Sequence, residues 1–134
     1  MPASINIHYQ LGLLHFVHLL VMADGDVDTR EKAVIRKIKL EEKIPDWVFD
    51  DFEESLPHKT GQQIYDEGLE LLNGCNEEEK LCAFVHLYKL SEADEYIHEK
   101  EIKFLLYSLK DTRVEFADVV LGARMSKAVA LKWL

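Results

Sequence analysis

A nine-residue pattern written twice, 70 positions apart, constrains this chain more than anything else in it. Ala23-Asp24-x-x-Val27-x-x-x-Glu31 returns as Ala93-Asp94-x-x-Ile97-x-x-x-Glu101, and 94 − 24 and 101 − 31 both equal 70. The register continues backward, pairing Leu14 with Phe84, Val17 with Leu87 and Leu20 with Leu90. It continues forward through Val34 with Phe104 and Ile35 with Leu105. Self-similarity at a fixed offset reads as a duplicated supersecondary unit. Residues 11–43 and 81–113 are therefore expected to form equivalent helical hairpins, with an acidic corner in each.

The rest of the chain reads as helix too. Leu14, Val17 and Val21 share one face of a first helix that ends near Ala23, and Leu13, Phe16 and Leu20 widen that face. A second runs from about Thr29 to Lys43 and is stopped by Pro45. Asp46 reads as the N-cap of a short third helix that ends before Pro57. A fourth spans about Gly61 to Leu72. Asn76 with Glu79 forms a capping-box pattern at the head of a fifth. A sixth covers about Glu99 to Lys110. Val114 to Leu134 is one long helix or two short ones, with Gly122 as the break. No segment alternates with period two. The expected fold is all-α, about seven helices in an internally duplicated bundle with pseudo-two-fold symmetry. Helices one and five, apolar over most of their surface, are expected to pack together at its centre.

Composition narrows the class further. A chain of 134 residues, 48% hydrophobic and 31% charged, makes one folded domain (1–134). The formal net charge of −9 repels phosphate backbones, so nucleic acid is not an expected partner. Cys75 and Cys82 are too few for a disulfide framework and, seven apart on a helix, too distant to bridge. Free thiols in a reducing, cytoplasmic compartment are expected. The run Leu11–Ala23 is too short to span a bilayer. It has no preceding cation and contains His15 and His18, so it reads as a core helix and not a leader.

Each acidic corner has two readings. In the first, Asp28 caps a helix, Glu31 returns the bond, and Gly25 supplies the turn. In the second corner His98 replaces Asp28 and Glu95 replaces Gly25, yet Glu101 persists. Asp24 and Asp94 also fall at helix C-termini, where the dipole disfavours an anion by roughly 0.3–1 kcal/mol. A pseudo-two-fold that joined the corners would bring Asp24, Glu31, Asp94 and Glu101 together. Such a cluster must protonate, recruit a cation-bearing side chain or bind a metal. All-oxygen ligation suits Ca²⁺ or Mg²⁺, while His98, with Asp28 as a further ligand, turns preference towards Zn²⁺ or Mn²⁺.

The doubled Ala23-Asp24-Gly25-Asp26-Val27-Asp28-x-x-Glu31 pattern, followed each time by an amphipathic helix, resembles the TerB-like (tellurite-resistance protein B-like) family. The resemblance implies a seven-helix, pseudo-two-fold bundle and a metal site at Asp24, Glu31, Asp94 and Glu101. Relatives of that kind act in tellurium and stress resistance or form the N-terminal domain of a membrane-anchored DnaJ-type co-chaperone. This chain has no His-Pro-Asp tripeptide and so lacks J-domain chemistry. The function implied is a non-enzymatic binding or scaffold module with protein partners. The alternatives are a metal-dependent enzyme using the same acids, with His98 as base, and an interaction domain without metal.

Other constellations carry less. An EF-hand starting at Asp24 would need Glu where Ile35 stands and Gly where Thr29 stands. Glu95-x-x-His98 matches one arm of a di-iron site whose other arm is missing. His15, His18 and His86 near a central axis are either half-buried hydrogen-bonders or Zn²⁺ ligands. The C-terminal mixture of Val119, Leu131 and Trp133 with Arg124, Lys127 and Lys132 either closes the core or docks peripherally on a membrane or partner.

Overall fold

In the computed structural model the backbone is described for residues 6–22, 28–93 and 99–132. Side chains are described within these spans except at 28–32, 92–93, 99–102 and 126–132. Among the described residues there are seven α-helices and no strand: α1 (Ile7–Met22), α2 (Asp28–Glu41), α3 (Asp46–Ser55), α4 (Gly61–Asn73), α5 (Glu77–Ala93), α6 (Glu99–Thr112) and α7 (Phe116–Lys132). A short 3₁₀ turn, Leu56–His58, follows α3. The all-α expectation holds. No described helix is long and apolar enough to cross a membrane.

α1 is apolar almost all round, and such a helix is stable only when surrounded. The fold surrounds it: Leu13, Leu14, Phe16, Val17 and Leu20 are fully buried. α1 touches α2, α3, α4, α5 and α6. It meets α5 through Phe16 and Phe84, whose rings lie 6.1 Å apart. Its most extensive partner, however, is α4, and that of α5 is α7. Small residues explain the preference. A β-carbon on Gly12 would lie 2.9 Å from the Leu72 side chain, and one on Gly68 would lie 2.9 Å from the His15 β-carbon. The two glycines let α1 and α4 approach closely along their length.

Gly122 works in the same way and not as a break. α7 runs through it unbroken, and a β-carbon there would meet Val85 of α5 at 2.9 Å. A packing contact outweighs the roughly 1 kcal/mol helix-propensity penalty of glycine. The expected packing of Leu131 and Trp133 falls outside the described side chains.

Local chemistry sets the helix ends. The Asn76 capping box forms as expected, with Glu79 N donating to Asn76 Oδ1 at 2.8 Å and Asn76 N to Glu79 Oε1 at 3.2 Å. Thr60 and Gln63 form a second box at the head of α4. At α3 the expected cap is displaced by one residue. Pro45, in extended geometry, holds the N-cap position without a side-chain bond, and its carbonyl accepts from Val48 N and Phe49 N. Asp46 is already helical and pairs with Lys39.

α2 and α6 stop identically. Lys43 (φ 51°) and Arg113 (φ 60°) both adopt the left-handed conformation. Ile44 N then donates to Lys39 O at 3.0 Å, and Val114 N to Leu109 O at 3.1 Å. Lys43 N to Leu40 O and Arg113 N to Lys110 O complete two Schellman motifs. They are 70 residues apart, as 113 − 43 shows.

Candidate metal centre

The Schellman turn after α2 carries a carboxylate into the protein. Glu42 sits at its cap position and is only 6% exposed. A carboxylate that deep is costly unless several donors meet it. Two other chain segments supply them. Tyr9, itself buried, comes from the first turn of α1. Cys82 and His86 come from α5, where a four-residue spacing puts both on one face.

Glu42 Oε1 accepts from the Tyr9 hydroxyl at 3.1 Å and from His86 Nε2–H at 2.6 Å. The Cys82 thiol lies 3.3 Å from the Tyr9 oxygen and 4.0 Å from the same Glu42 oxygen. On the far side of the imidazole, Glu41 Oε2 stands 3.6 Å from His86 Nδ1.

Electrostatics follow from this packing. Burial on its own would lower the His86 pKa. Hydrogen bonds and charge from Cys82 and Glu42 outweigh it and raise the value to about 9. At neutral pH the imidazole is therefore a cation paired with Glu42. Burial, reinforced by Cys82 and Glu42, pushes the Tyr9 phenol far above its ordinary range, so Tyr9 keeps its proton and acts as a donor.

Glu42, Cys82 and His86 each offer one ligand atom, and these atoms all lie within 4.8 Å of one another. One carboxylate, one thiol and one imidazole converging at that range can hold a metal ion. In that state the cation takes the place of the proton shared between His86 and Glu42.

None of the corner acids singled out in the sequence has a described side chain. Asp24, Asp94 and His98 are outside the described residues, as are the side chains of Asp28, Glu31 and Glu101. The three histidines are divided between sites. His15 donates Nδ1–H to Leu11 O at 2.6 Å and meets the Phe52 ring at a tilt, centroids 5.1 Å apart. Its burial lowers its pKa, and its Nε2 stands 3.5 Å from Glu67, whose carboxylate also holds Lys59. His18 packs edge-on against Phe52. Only His86 joins the Glu42–Cys82 group.

Sequence reasoning missed this centre. Its one local signal is Cys82-x-x-x-His86, a spacing that aligns two ligands on a helix. Glu42 gives no signal of its own, lying 40 positions from Cys82 and 44 from His86. No family model, no curated protein and no solved structure matches the chain.

Proposed function

We propose that this chain is a non-enzymatic binding and scaffold module of TerB type, serving a stress- or tellurite-resistance assembly, with a divalent-cation site between α2 and α5. One observation carries the cation reading: three metal-ligand side chains of different chemistry converge within 4.8 Å at Glu42, Cys82 and His86. The corner acids Asp24, Glu31, Asp94 and Glu101 form a second candidate site, supported by their recurrence at a 70-residue offset. Two free cysteines fit a reducing compartment such as the cytoplasm. Protein partners dock on outer faces where Leu40, Trp47 and Tyr107 stand exposed.

The test is a thermal melt of protein purified without chelator, with Ca²⁺, Mg²⁺, Mn²⁺ and Zn²⁺ added separately. A bound cation should stabilise by about 2.7 kcal/mol when free metal is near 100 times its dissociation constant. Asp24→Asn with Asp94→Asn removes the response if the corners bind. Glu42→Gln with His86→Asn removes it if the α2–α5 centre binds. A melt unmoved by every cation refutes the reading.

A further inference from the structure

We infer that the α2–α5 centre selects a borderline cation of the Zn²⁺ and Co²⁺ type over Ca²⁺ and Mg²⁺, and that Glu41 positions His86 as its ligand. This rests on the reading that the centre takes a cation at all.

The donor set decides the class of ion. Ca²⁺ takes six to eight oxygen ligands and Mg²⁺ near-octahedral oxygen, as a rule. The Glu42–Cys82–His86 group offers one carboxylate beside a sulfur and a nitrogen. Thiolate and imidazole favour zinc-like ions, which are content with four ligands of mixed S, N and O type. A fourth ligand from solvent completes such a shell.

The distances agree. Bonds of about 2.0–2.3 Å in a tetrahedron put ligand atoms roughly 3.4 Å apart. The observed separations from Glu42 Oε1, 2.6 Å to His86 Nε2 and 4.0 Å to Cys82 Sγ, bracket that spacing. Small side-chain adjustments suffice. The backbone under the site is fixed: Glu42 is held by the Schellman turn at Lys43, while Cys82 and His86 share one helix.

Glu41 supplies what a metal-bound histidine needs on its other side. For Nε2 to ligate, the imidazole proton must reside on Nδ1, and a carboxylate facing Nδ1 favours that tautomer. Glu41 Oε2 lies 3.6 Å from it, and the Glu41 side chain is 44% exposed. It also meets Lys37 at 3.9 Å in a surface pair, a kind that contributes little. Tyr9 completes the arrangement by donating to the Glu42 carboxylate, which orients it.

The experiment is a Co²⁺ titration of the full chain followed by absorbance, with Zn²⁺ as competitor. Expected are visible bands of tetrahedral intensity and a sulfur-to-cobalt charge-transfer band. Both should be displaced by Zn²⁺ and resist a large excess of Ca²⁺ or Mg²⁺. Cys82→Ser should abolish the charge-transfer band and Cys75→Ala should keep it, with circular dichroism of each metal-free variant verifying its fold. Glu41→Gln should weaken Zn²⁺ binding about 10- to 100-fold and be rescued by Glu41→Asp. Stabilisation by Ca²⁺ or Mg²⁺ that survives Cys82→Ser, with no charge-transfer band, would overturn the inference while leaving the cation reading intact. Binding of no cation would remove both. Unchanged Zn²⁺ affinity in Glu41→Gln would overturn the role of Glu41.

Discussion

α2 and α6 finish in the same backbone motif and put opposite chemistry at the same place. The cap residue of α2 is Glu42, a buried carboxylate; that of α6 is Thr112, fully buried and uncharged. Thr112 is satisfied within its own helix, its hydroxyl donating to Ser108 O at 2.8 Å. Its backbone carbonyl also accepts from Lys80 at 3.4 Å. The Glu42 carboxylate instead draws on Tyr9 from α1 and His86 from α5. The residue before each cap differs likewise. Asp111 accepts the Tyr65 hydroxyl at 2.6 Å, while Glu41 faces an imidazole. A shared backbone solution thus fixes position alone, and the side chain at the cap decides whether that position is closed or reactive.

The contrast can be broken most directly by removing the two caps in turn. Glu42→Ala leaves an imidazolium and a phenol without their acceptor, and breaking a buried charged pair costs about 3–5 kcal/mol. Denaturant unfolding of metal-free protein should show a loss of that order. Thr112→Val sheds one self-contained hydrogen bond, a loss of about 1 kcal/mol. Equal losses at the two ends would erase the distinction.

Alkaline titration should come next in size. The His86 pKa stands near 9 in the fold against 6.5 for a free imidazole. Its stabilisation is therefore fully present below pH 6.5 and is lost as pH rises through 9. The drop should reach about 3 kcal/mol at most. His86→Asn should flatten the metal-free stability profile between pH 6.5 and 9, and Thr112→Val should leave it as steep as wild type. His15 acts in the opposite sense: burial lowers its pKa, so its contribution erodes as pH falls below 6.5. A wild-type profile that stays level up to pH 10 would show that the Glu42–His86 pair contributes nothing.

Tyr9→Phe gives the smallest of the expected losses around Glu42, about 1.5–3 kcal/mol for one hydrogen bond to a charged acceptor. Combined with Glu42→Ala it should add little, because the phenol has already lost its partner. Full additivity in that double-mutant cycle would mean that the 3.1 Å contact is not an energetic one.

Much of the fold is legible in the sequence, because helix periodicity and caps are local signals. The Asn76–Glu79 box and the stop at Pro45 need only a few neighbouring residues. What escapes is contact information. Gly122 reads as a break until Val85 is known to lie against it. Asp46 looks like a cap because Pro45, with no side-chain acceptor, is an improbable one. The candidate centre is illegible for the same reason. Cys82 and His86 share a face by spacing alone, yet nothing near them announces Glu42, and His86 invites grouping with His15 and His18.

The three segments of the centre also bear on the order in which the chain folds. Tyr9 meets Glu42 across 33 positions, Glu42 meets His86 across 44, and Tyr9 meets Cys82 across 73. Contacts of that span require large loops to close before any is rewarded. No fragment shorter than the stretch from α1 to α5 contains the full set. Under the proposed ligand set, complete cobalt coordination would serve as a clock for refolding, reporting when the end of α2 meets α5 across 44 positions.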